Sequence, residues 1–506
     1  MNRPVGHEES EAALRLLTRL LMSRGAWLLR EGHEGAGLEL RRGEWELRVA
    51  GGSLVLSYRG ASGARSWRVA AWRAEGEGIY FEVLRRSGAG RALLQLVPRA
   101  TVASGRALVA CARRAECERL AALVSEFARA RLEHASLSQG ARRGEPGRWA
   151  RVLLKMKVGG CERVAVAAPV VPAGAEAVES FLTNALLWFT RLSDGARTLW
   201  LVAPRALALA VCERVPLLRA GLRERVHVYE LKEEGRGLSP LQLPTFDELL
   251  DAPASKLARA SVRAPSELAS HIIALAPGEI DCVRARHGET LRFQGLPFAR
   301  VRRVAGGEHL WFGVGQRRAL FEEGNETDFL KLLAALREHR RDRAPERRHA
   351  LYRAAPEAWL EALLRRDVTR LDPGLRLAPI HAQFRAAPGA AARPVDLLAL
   401  RRDGRLVVIE LKVSEDASLA LQGADYWRRV EAQRRAGHIA RAGLFGDAAL
   451  RDEPPLLYLV APMLRFHRSF HTLARCLSTR IETYRLDLNE DWRSGVRVVW
   501  RRDVKE

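Results

Sequence analysis

Asp396, Glu410 and Lys412 are the residues of this chain best placed to act together. They lie in Val395-Asp-Leu-Leu-Ala-Leu-Arg-Arg-Asp-Gly-Arg-Leu-Val-Val-Ile-Glu-Leu-Lys-Val413. Asp403-Gly404 between two apolar runs predicts a β-hairpin. Strand alternation puts Glu410 and Lys412 on one face, and Ile409 and Leu411 on the other. The hairpin then brings Asp396 beside Glu410. Two carboxylates and a lysine on a rigid sheet suit a Mg²⁺ (or Mn²⁺) site with a group that activates water. An acid and a base two residues apart most often mark a solvated strand face. Here the preceding residues, Leu406-Val-Val-Ile409, are apolar as in a buried strand. Charges inside such a strand need a partner or a metal, because burying them alone is costly.

Further elements must hold these groups in place. Upstream, Pro356-Glu-Ala-Trp-Leu-Glu361 opens a predicted helix. Downstream, Gln422-Gly-Ala-Asp-Tyr426 puts Gln422 and Tyr426 four residues apart, on one helix face. The order helix, strand, hairpin, helix predicts an α/β domain with a mixed sheet flanked by helices. Over residues 350–506 the pattern resembles the PD-(D/E)xK, or restriction-endonuclease-like, nuclease superfamily, in its RecB-like branch with a QxxxY helix. It is similar to the nuclease domain of mismatch endonucleases and Holliday-junction resolvases. The proline is displaced relative to the family pattern, reading Pro394-Val395-Asp396. The resemblance implies that Asp396 and Glu410 hold the metal, helped by the Leu411 carbonyl. It implies that Lys412 orients or deprotonates the attacking water and stabilises charge on the phosphate. Gln422 and Tyr426 would position Lys412 or the scissile phosphate. Glu361 would complete the shell or a second metal site, with Glu357 as the alternative on the same helix. The implied activity is Mg²⁺-dependent hydrolysis of DNA, endonucleolytic, in repair or processing. The competing reading is a catalytically silent nucleic-acid-binding or scaffold protein.

The composition points toward a polyanionic partner. The chain has 83 Lys and Arg against 60 Asp and Glu, a formal charge of +23. Nucleic acid, most readily DNA, is the partner this balance favours. A GC-rich coding sequence accounts for arginine over lysine better than for the excess of bases over acids. The basic run Arg337–Arg348 reads as a solvated linker. Six scattered cysteines without CxxC pairing read as reduced thiols, not a disulfide frame or a zinc site. No signal-peptide core and no membrane-spanning apolar run is present, so a cytoplasmic location is expected, with an oligomer allowed.

The chain also compares with itself. Arg151–Pro169 lies on Pro394–Lys412 without a gap, because 153 to 167 and 396 to 410 both span 14 residues. Asn184-Ala-Leu-Leu-Trp188 parallels Gly423-Ala-Asp-Tyr-Trp427, and Leu199–Pro204 parallels Leu457–Pro462. This predicts a tandem duplication with a degenerate N-terminal copy, each copy preceded by a small β-rich module. The expected domains are 1–105 (β-rich), 106–255 (degenerate nuclease-like), 256–345 (β-rich module and linker) and 346–506 (nuclease). In the first copy Asp396, Glu410, Lys412 and Glu361 become Leu153, Ala167, Pro169 and Ala121, which leaves no metal site. A second acid-x-lysine, Glu230-Leu231-Lys232, reads as an ordinary strand end. Trp67, Trp72, Trp311 and Phe312 read as core before base-stacking residues, and Arg300, Arg302 and Arg303 as phosphate contacts or solvated charges.

Overall fold

The computed structural model describes residues 3–4, 9–31, 38–60, 63–84, 91–99, 102–140, 145–156, 162–192, 196–232, 237–252, 256–257, 264–285, 288–304, 307–315, 318–385 and 394–505. The fold is mixed α/β with several sheets, arranged in two compact units, Met1–Pro172 and Ala173–Glu506.

In the first unit, helix Ser10–Met22 lies on an antiparallel sheet built from strands between Ala26 and Pro98. Leu17, Leu40, Leu56, Phe81 and Leu94 are fully buried between them. Trp67 and Trp72 belong to this core, so neither offers a free stacking face. Helix Val102–Phe127 then leads into three antiparallel strands, Ala130–Gln139, Pro146–Met156 and Arg163–Pro169. Their register differs from the gapless superposition: Arg151, not Leu153, stands opposite Ala167. The first hairpin is therefore paired two residues out of step with the second. Residues 157–161 of that connection, with Cys161, lie outside the described residues.

The second unit begins with helix Val178–Arg191. Strand Thr198–Pro204 follows, parallel to Val226–Leu231, which pairs antiparallel with Leu238–Leu241. Glu230 lies at the end of its strand in an ion pair with Arg205, as an ordinary strand end would. Next comes an antiparallel meander, Ile280–Ala285, Gly288–Phe293, Leu296–Val304, Gly307–Phe312 and Ala319–Leu320. Helices Glu267–Leu275 and Glu326–His339 cover its apolar face, where Phe312 is core. The run Arg337–Arg348 is not a plain solvated linker. Arg340 is fully buried and donates to the carbonyls of Phe293, Gln294, Leu351, Ala354 and Ala355. Its planar fork satisfies the end of one element and the start of the next, and its guanidinium sits 4.7 Å from the Trp359 ring.

The last sheet carries the candidate site. Its order is His381–Phe384, Val395–Leu400, Leu406–Leu411, Leu456–Pro462, Thr483–Leu488 and Val498–Asp503. The first three strands are antiparallel, the next two run parallel to Leu406–Leu411, and the last is antiparallel again. Helix Pro356–Arg366 buries Trp359, Leu360 and Leu364 against Leu397, Ile409 and Leu411. Helix Leu419–Arg435 packs on strands Leu406–Leu411 and Leu456–Pro462. Its Gly423 permits that approach: a Cβ there would stand 2.6 Å from Leu459. Among the described residues no helix is long and apolar enough to cross a membrane, and the five described cysteines are free.

Candidate active site

The hairpin forms where the Asp-Gly pair requires it. Arg401 N–H bonds the Arg405 carbonyl, Gly404 N–H bonds the Arg401 carbonyl, and Gly404 has φ +87°. A three-residue turn closed by a left-handed glycine sets the register. Leu397 pairs with Ile409, so Asp396 and Glu410 fall together at the far end of the hairpin. There the Leu411 N–H donates to Asp396 Oδ2 at 2.9 Å.

Glu410 is wholly buried, and Lys412 donates to its Oε1 at 2.9 Å. Burial first, and then the Asp396 carboxyl within hydrogen-bond reach, hold the Glu410 pKa well above the usual carboxylate range. Burial opposes the charge on Lys412, but Glu410, backed by Glu357 and Asp396, outweighs it and raises the lysine pKa. Lys412 is therefore an ammonium at neutral pH. Glu410 Oε2 is buried without a hydrogen-bond partner.

Asp396, Leu411, Glu357, Glu361 and Gln383 line one cavity of about 520 Å³. Both helix acids thus reach the site, in different ways. Glu361 accepts from Gln383 Nε2 at 2.8 Å and pairs with Arg292 at 3.5 Å. Glu357 accepts from the Val413 backbone and feels Lys412 and Asp396. Burial is the largest influence on both and raises both pKa values. Pro356 at the first helical position and Ala355 in a left-handed conformation aim the start of this helix at the cavity.

Gln422 and Tyr426 meet as their spacing predicts: Gln422 Nε2 donates to the Tyr426 hydroxyl at 2.8 Å, and both are buried. Burial, then the charge of Glu410, raises the Tyr426 pKa. Gln422 Oε1 is a second buried polar atom without a hydrogen-bond partner.

Sequence reasoning missed Gln383, Arg292 and Arg340. Gln383 sits on the edge strand at a positive φ of 51°, which turns it out of the alternation that sequence patterns detect. Arg292 comes from the preceding meander and pairs with Glu361 only through tertiary packing. Among the described residues no group of three or more His, Cys, Asp or Glu side chains converges as a metal-holding set.

No protein-family model and no curated protein matches the chain. Two solved structures align with part of it. The apo form of EndoMS aligns at 17% identity over 40% of this chain and 88% of its own, with a TM-score of 0.13. A complex of EndoMS with double-stranded DNA aligns at 15% identity over 40% of this chain and 87% of its own, with a TM-score of 0.12. Scores this low carry no argument about this chain.

Proposed function

We propose that the chain is a metal-dependent phosphodiesterase that cleaves DNA at the cavity beside Asp396. One observation carries the reading: the Asp396–Glu410 pair, in which a wholly buried carboxylate leaves Oε2 without a partner beside a second carboxylate. Two crowded carboxylates on adjacent apolar strands destabilise the fold unless a proton or a cation joins them. A divalent ion fits that donor set. Two carboxylates with backbone carbonyl and water suit Mg²⁺, which keeps several waters when bound. Asp396, Glu410 and the Leu411 carbonyl would hold it, and Glu361 or Glu357 would complete the shell from the helix.

A bound Mg²⁺ supplies Lewis acidity toward a phosphoryl oxygen and lowers the pKa of water. The remaining work falls to this chain's own groups. Lys412 would stabilise charge on the phosphate and orient or deprotonate the attacking water. Gln422 and Tyr426, held to each other on the facing helix, would position Lys412 or the scissile phosphate. The charge of +23 supplies affinity for the phosphate backbone without reading sequence. The three-stranded hairpin region of the first unit, with Arg151, Leu153, Ala167 and Pro169, presents no carboxylate at the corresponding positions; we read it as the metal-free copy of a duplicated fold.

The test is calorimetric titration of the full chain with Mg²⁺. Binding that disappears in Glu410→Ala supports the reading. No binding to the parent protein would refute the metal site.

A further inference from the structure

The helix that carries Gln422 and Tyr426 also carries Asp425, which faces elsewhere and is fully buried. Arg214 donates to Asp425 Oδ2 at 3.0 Å. Arg428 donates to Oδ1 at 2.7 Å, and Arg429 pairs with Oδ2. Arg214 also reaches Glu213 at 2.9 Å and Glu179 at 3.3 Å, and Arg428 reaches Glu213 at 3.1 Å. Three acids and three arginines thus balance in one cluster. Arg214, Glu213 and Glu179 come from the segment Ala173–Asp251, far upstream of the hairpin in the chain.

The same segment grips this region elsewhere. Arg219 N–H bonds the Cys476 carbonyl and Ser478 N–H the Leu217 carbonyl, at 2.9 and 2.8 Å. Asp247 takes Arg480 at 2.7 Å, and Arg435 reaches Asp251 at 2.9 Å. Phe246 lies 6.1 Å from Trp427. Apolar contacts of this kind fix a distance but let a helix roll.

A buried ion cluster is a poor way to gain stability, because desolvation roughly cancels its attraction. What it supplies is direction: Asp425 is satisfied at one helix rotation only. Tyr426 is the next residue of the same helix, so the roll set at Asp425 sets Tyr426 with it; the Arg429 guanidinium that pairs with Asp425 also sits 5.7 Å from the centre of the Tyr426 ring.

We propose that Asp425 is a positioning residue: clamped by Arg214 of the segment Ala173–Asp251, it sets the roll of helix Leu419–Arg435 and thereby seats Tyr426 and Gln422 of the same helix at the site. The segment thereby acts as a built-in partner of the active-site helix. This rests on the reading of Gln422 and Tyr426 as site residues.

The test uses the full chain with Arg214→Met, Arg214→Lys and Asp425→Asn. Two readouts are taken: steady-state cleavage of plasmid DNA, and amide hydrogen exchange of the peptide spanning Gln422–Tyr426. Arg214→Met and Asp425→Asn should lower kcat roughly ten- to a hundredfold with KM unchanged, the effect of a misplacement of about 1 Å remote from the chemistry. Exchange across Gln422–Tyr426 should rise while that of strand Leu406–Leu411 stays as in the parent, and Arg214→Lys should restore part of both. If Asp425→Asn does not fold, Arg214→Met, which leaves Asp425 paired with Arg428 and Arg429, decides alone. Unchanged kcat and unchanged exchange in folded variants would overturn the proposal, leaving the cluster as glue. If the parent does not cleave DNA, the nuclease reading fails and exchange alone decides the positioning: a rise confined to Gln422–Tyr426 upholds it, and no rise overturns it.

Discussion

Lys412 donates to Glu410 at 2.9 Å from the end of a strand whose six residues are all buried, and Glu410 has no other protein donor at its second oxygen. The ammonium is what makes a charged Glu410 tolerable. Lys412→Met should therefore cost about 3–5 kcal/mol at pH 7, as expected when one member of a buried pair is removed. The sign follows from Glu410. Its folded pKa is already raised, and loss of the lysine raises it further, so the extra deficit develops above the parent's own raised Glu410 pKa and is lost as pH falls below it. Urea unfolding at pH 7 and at pH 4 measures this; an equal deficit at both would contradict the pairing.

Asp396→Asn should act in the opposite direction. Asparagine still accepts from the Leu411 N–H, but it removes the charge that, after burial, most disfavours ionised Glu410. The Glu410 pKa falls but burial keeps it raised, and the metal-free variant gains stability above that lowered value but not below it. The gain should grow as pH rises from 4 to 8. Thermal melts in EDTA across pH 4 to 8 would show it; a variant less stable than the parent throughout would rule out carboxylate crowding.

Gln422→Ala and Tyr426→Phe should each reduce cleavage roughly ten- to a hundredfold, the usual cost of losing a group that orients others. Mg²⁺ affinity should change little, since neither residue is a proposed ligand. A large fall in Mg²⁺ affinity with normal turnover in saturating metal would contradict these roles.

These relationships were unequally legible. Asp403-Gly404, the apolar run Leu406–Ile409 and the Gln422–Tyr426 spacing are local signals, and each produced the element expected. The fate of Arg340 was not legible, because its basic neighbours mark a solvated linker while its five carbonyl acceptors come from separate elements. Gln383 and Arg292 reach Glu361 from two different sheets, and sequence distance hides such contacts. The first hairpin shows another limit. Its residues superpose without a gap, yet the strands pair two residues out of step, because side-chain alternation is preserved by any even shift.

DNA affinity should fall steeply with salt. Each neutralised phosphate adds about −0.9 to the slope of log K against log [salt], so a contact of a few phosphates gives a slope of roughly −4 or steeper. Fluorescence anisotropy with a labelled duplex and the Glu410→Ala protein, at several salt concentrations, measures it. A flat response would remove the nucleic-acid reading of the charge.

The most direct test of the central claim is nicking of supercoiled plasmid by the full-length protein in Mg²⁺, beside Asp396→Ala and Glu410→Ala. The account predicts nicking by the parent that EDTA abolishes, and none by either variant while both remain folded. Full nicking by a folded Asp396→Ala or Glu410→Ala protein, or parent activity unaffected by EDTA, would contradict it.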